Sequence, residues 1–84
     1  MKTSIYVVKD IQADVHSEPV YLKNDAVAKR VFGNVVNNKQ EHIYYTNPDD
    51  FELIRVGVYN DEDAHIEAEY EFICPLNELI RTVN

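Results

Sequence analysis

The chain has 84 residues, 45% hydrophobic and 27% charged, with two glycines and three prolines. That length holds one core and no second domain, and the balance excludes an intrinsically disordered chain. A net charge of −7 disfavours a tight, sequence-independent grip on nucleic acid by the molecule as a whole.

"MKTSIYVVKD" has only four consecutive strongly apolar residues before Lys9, too few for a signal peptide or a membrane span, so an intracellular protein is expected. "SIYVVK" (4–9) has apolar residues on both faces and reads as a central strand. "DIQADVHSE" (10–18) reads as a loop, and "PVYLK" (19–23) as a short strand with Pro19 at its start. Asn24 or Asp25 then caps a helix carrying an apolar stripe at Ala28, Val31, Phe32, Val35 and Val36. Arg30, Asn34 and Asn37 fall on its opposite side and Lys29 on its flank, and an asparagine in the left-handed conformation is expected to end it.

Asn47-Pro48 favours a turn, and Pro48 to Asp50 a single helical turn. "FELIRVGVYN" (51–60) is a strand with Ile54, Val56 and Val58 on one face and Leu53, Arg55, Gly57 and Tyr59 on the other. "NDED" (60–63) reads as a hairpin loop, although it lacks an Asn-Gly or Asp-Gly pair. In the next strand Ile66, Ala68, Tyr70 and Phe72 are expected to face inward and Glu67, Glu69 and Glu71 outward. Pro75 opens a short helix with Leu76, Leu79, Ile80 and Val83 on one side. The order β-β-α-β-β-α predicts an α+β domain: a small, mostly antiparallel sheet of about four strands with one main helix on a face and a short C-terminal helix.

The densest chemistry is "DEDAHIEAEYE" (61–71), with Asp61, Asp63, His65, Glu67, Glu69 and Glu71 at odd positions. Oxygen ligands must converge within about 2.0–2.6 Å of a metal ion, whereas carboxylates along an extended strand project in parallel. A lone histidine does not furnish a transition-metal site, so no metal and no cofactor are expected. A catalytic carboxylate needs burial or a close partner to shift its pKa, and an exposed row offers neither. His16, His42 and His65 are scattered, no phosphate-binding glycine loop is present, and Cys74 reads as a small buried hydrophobe. A solvated face is the preferred reading of the row, with Asp61, Asp63, Glu67, Glu69 and Glu71 extending it to a docking surface for a basic partner or the helix of a second copy.

Charge is unevenly distributed. Residues 20–40 sum to +3, from Lys23, Lys29, Arg30 and Lys39 against Asp25, and residues 41–84 sum to −9. With Tyr44 and Tyr45 close in sequence, these cations match the composition of single-strand binders, where cations track phosphates and rings stack on bases.

Asp25, Ala28, Arg30, Phe32, Val36 and Asn37 of the helix, and Pro48, Asp49, Asp50, Phe51, Leu53, Gly57, Tyr59 and Asp61 after it, form two ordered blocks. Their order and spacing resemble the small nonstructural protein of gokushoviruses, single-stranded DNA phages of the Microviridae, over roughly residues 5–62. The Glu-rich strand, the Pro75 segment and Val58 depart from that pattern. The resemblance implies a non-enzymatic, non-virion protein of the host cytoplasm that assists single-stranded DNA replication or its coupling to packaging. DNA contact is expected through the basic helix side, with the acidic side turned to a phage or host protein or to another subunit of a homo-oligomer. The alternatives are an acidic adaptor or DNA mimic that engages a host protein without touching DNA, or a self-associating domain of unrelated origin.

Overall fold

The computed structural model describes residues 1–38 and 43–80. Strand β1 spans Lys2–Asp10, β2 Val15–His16 and β3 Val20–Leu22; helix α1 spans Asp25–Val36 and α2 Ile43–Thr46; β4 spans Phe51–Asn60 and β5 His65–Pro75. Two 3₁₀ turns, Pro48–Asp50 and Leu76–Leu79, flank the last two strands. The five strands form one antiparallel sheet in the order β2-β1-β4-β5, with β3 also pairing with β1. The expected α+β class is therefore observed. The loop read over 10–18 contains β2, and the segment after Pro75 is a 3₁₀ turn instead of an α-helix. Val83 lies outside the described residues.

Both hairpin loops use one device. The Asp10 carboxylate accepts from the backbone N–H groups of Gln12 and Ala13, and the Asn60 carbonyl accepts from that of Glu62. Each loop then closes on a left-handed residue, Asp14 at φ 55° and Ala64 at φ 57°. Alanine thus occupies the position where a glycine signal was missing from the sequence.

The core lies between α1, the Leu76–Leu79 turn and one face of the sheet. Tyr6, Val8, Phe51, Leu53 and Cys74 from the strands meet Ala28, Val36 and Leu76 there. Asn24 caps α1 by accepting the Val27 N–H at 2.9 Å. The helix presents Ala28, Gly33 and Val36 to the core with Phe32 packed beside them, while Val31 is 40% exposed. The buried stripe is thus rotated away from Val31. The helix does not end on a left-handed asparagine: Asn37 has φ −95° and ψ 0°, and its side-chain amide donates to the Gly33 and Leu79 carbonyls at 2.6 and 2.7 Å. That amide ties the helix end to the C-terminal turn.

Bulges reset which face each side chain joins. In β4, Arg55 lies opposite Tyr6 but Gly57 opposite Ile5, so Val56 is the extra residue. Leu53 and Arg55 therefore share the helix side, whereas Gly57 and Tyr59 cross to the other side with Ile54, against the strict alternation expected. A Cβ on Gly57 would lie 2.9 Å from the Glu67 backbone oxygen. Gly57→Val should accordingly lower stability by about 1–3 kcal/mol, measured by urea denaturation, because the backbone of β5 must move.

The largest correction concerns β5. Ile66, Tyr70 and Phe72 are 52%, 61% and 52% exposed, and Ala68 is exposed as well. They do share one face, but among the described residues no layer covers it. The helix side of this strand receives Glu69 and Glu71, and apolar side chains reach the core only at the bulge, where Ile73 packs against its margin and Cys74 is buried in it. Burial pushes the Cys74 thiol pKa up, as suits a small core hydrophobe.

Candidate functional site

Three strands and the start of α1 meet at the Arg55 side chain. The register of β1 and β4 sets Tyr6 beside Arg55, and that of β4 and β5 sets Arg55 beside Glu71. The Asn24 cap places Asp25 in the first helical turn, where the helix dipole favours a carboxylate. Arg55 donates to Asp25 at 2.6 and 2.7 Å, to Glu69 at 2.6 Å and to Glu71 at 3.2 Å, while the Tyr6 hydroxyl donates to Asp25.

Burial acts to raise the Asp25 pKa, but hydrogen bonds from Arg55 and Tyr6 outweigh it and hold the carboxyl below its ordinary value. Burial, then the bond to Asp25, pushes the Tyr6 pKa up, and its carboxylate partners hold Arg55 protonated. Near neutral pH the cluster is thus a fixed arrangement of charges that fastens the helix start to two strands.

The acidic row predicted as one surface is divided. Glu69 and Glu71 turn toward Arg55 on the helix side, and Glu69 is half-buried, so the row is not uniformly solvated. Glu67 is exposed. Asp61 pairs with the Met1 amine at 2.6 Å, and Asp63 accepts from the His65 N–H at 3.1 Å. The acids closest to the helix therefore lie on its own side of the sheet, not opposite it.

Lys23, Lys29 and Arg30 are exposed at and beyond the start of α1, and among the described residues they form no ion pair. Lys39 lies outside the described residues. Tyr44 packs edge-on against Phe51 with ring centroids 4.7 Å apart, and burial raises its pKa, so its ring belongs to the core margin. Tyr45, 38% exposed, presents a more open ring.

Sequence reasoning missed the aromatic character of the open sheet face. Tyr21 stands edge-on to Tyr59 at 6.4 Å, and Tyr70 edge-on to His16 at 5.9 Å with Oη 3.1 Å from Nε2. Tyr70 reaches His16 across β4 and β1, and beneath these rings Ile5, Val7 and Ile54 are buried. The available signal was the period-two pattern of β5, which defines a shared face without saying whether anything covers it.

These features define a small two-layer α+β protein. The chain belongs to the Phage ORF5 protein family, whose pattern it matches over residues 3–79. No curated protein and no solved structure shows a significant match to it. Among the described residues, no helix is long and apolar enough to cross a membrane.

Proposed function

We propose that this phage protein is a non-enzymatic accessory factor of a single-stranded DNA phage of the gokushovirus type. It acts by binding, on single-stranded DNA and on phage or host replication proteins, during genome replication or its coupling to packaging. The observation that supports DNA contact is the division among the cations. Arg55 is held by three carboxylates, whereas Lys23, just before α1, and Lys29 and Arg30, in its first half, stand exposed and form no ion pair among the described residues. Unpaired cations are the groups that exchange counterions for phosphates.

Three such contacts give a salt slope of about −2 for a single strand, so affinity should fall roughly twentyfold between 50 and 200 mM salt. Fluorescence anisotropy with a labelled oligonucleotide tests this. Lys29→Glu with Arg30→Glu should weaken binding at least about tenfold and flatten the slope toward −0.7. Absence of binding by the wild-type chain at about 50 mM salt would remove DNA contact and leave the protein-binding role.

A further inference from the structure

The open face of the sheet is apolar along β5. Its register places Phe72 beside Ile54, Ala68 beside Gly57 and Ile66 beside Tyr59, so these side chains and Tyr70 point away from α1. Three large residues, each more than half exposed, run along the outermost strand over roughly 20 Å. With Tyr21, 54% exposed, they leave roughly 400 Å² of ring and aliphatic surface open. That is a suitable apolar centre for an interface of about 800 Å² per partner.

We propose that this face is covered by the same face of a second copy, forming a two-fold dimer. The order Ile66, Ala68, Tyr70, Phe72 is self-complementary when two such rows cross antiparallel. Ile66 then meets the partner's Phe72 at each end of the row, and at its centre the small Ala68 of each copy receives the partner's Tyr70. The ring contacts of Tyr21 with Tyr59 and of Tyr70 with His16 hold these groups in place before association.

Charge placement selects this arrangement over the main competitor. β5 is an edge strand, and in-plane pairing of two copies about Glu69 would set Glu69 against its equivalent and Glu67 against the partner's Glu71, a costly like-charge ladder. Face packing directs those carboxylates away from the partner. On the open face, the charged residues of β1 and β4 are Lys9 and Glu52, which stand opposite each other in the register. A chain of net charge −7 therefore presents a nearly neutral surface here. Nucleic acid is a poorer occupant of this face because a stacking platform needs cations to track phosphates. In the dimer both copies of α1 face outward, which leaves Lys29 and Arg30 of each accessible.

Light scattering coupled to size exclusion, from about 1 to 100 µM, tests the proposal within the affinity range of ordinary interfaces. The expected wild-type mass is twice the 9.8 kDa chain. Tyr70→Glu and Phe72→Glu, each at an exposed position, should raise the dissociation constant on the order of a hundredfold with unchanged far-UV circular dichroism. A wild-type mass of one chain throughout overturns the proposal, and a dimer that survives both substitutions places the interface elsewhere. If the wild type is monomeric and the same variants lose oligonucleotide binding, the face belongs to nucleic acid instead. Because Lys29 and Arg30 lie outside the interface, failure of the DNA reading and failure of the dimer are read out separately.

Discussion

Arg55→Met should lower stability by about 2–3 kcal/mol at neutral pH, a fall in Tm of roughly 10–20 °C for a domain of this size. The substitution retains much of the aliphatic stem but removes the cation shared by Asp25, Glu69 and Glu71. Breaking a fully buried pair costs more, about 3–5 kcal/mol. Here side-chain exposures of 40%, 35% and 58% let water screen the abandoned carboxylates and reduce the loss.

The pH dependence follows from Asp25. Its folded pKa lies below the ordinary 3.8, so its stabilisation is complete above that value and is lost as pH falls through the folded value. Without Arg55, the strongest interaction that opposes burial and favours the Asp25 carboxylate is gone, so acid has less of a bond to break. Thermal denaturation should show a wide gap between wild type and variant at pH 7 and a narrower one near pH 3. An equal gap at both values would mean that Arg55 acts by packing alone.

Leu53→Ala should have the larger effect, a loss of about 3–4 kcal/mol. Leu53 is 0% exposed in β4, which is paired on both sides, and lies opposite Val8 and Cys74 beneath the helix. A domain of this length has only about 4–13 kcal/mol in total, so the variant should be largely unfolded at modest urea. The measurement is the urea midpoint at unchanged slope. Val31→Ala is the informative control. Val31 belongs to the apolar stripe visible in the sequence, yet it is 40% exposed and its truncation should cost less than about 1 kcal/mol.

The two positions show how far the chain could be read unaided. Leu53 sits in the strand "FELIRVGVYN", whose assignment as a strand needed only local pattern. Val31 has the right spacing for burial, but spacing defines a stripe wider than the contact one sheet face makes. The candidate site was less legible still. Lys29 and Arg30 were visible as outward cations because helical periodicity places them directly, whereas the fate of Glu69 and Glu71 depended on a guanidinium fourteen and sixteen residues away. A strand pattern records that its two faces differ in polarity. It does not record that Asp25 and Arg55 draw the carboxylate face toward the helix.

The α+β class, the main strands and a helix capped at Asn24 or Asp25 were therefore legible in the sequence, because each is signalled by local pattern within about eight residues, and the structure chose Asn24. The tertiary structure alone decided the bulges at Val56 and Ile73, the Arg55 cluster and the open aromatic face. Each depends on which side of the sheet a distant segment packs, and an alternating strand is compatible with either choice.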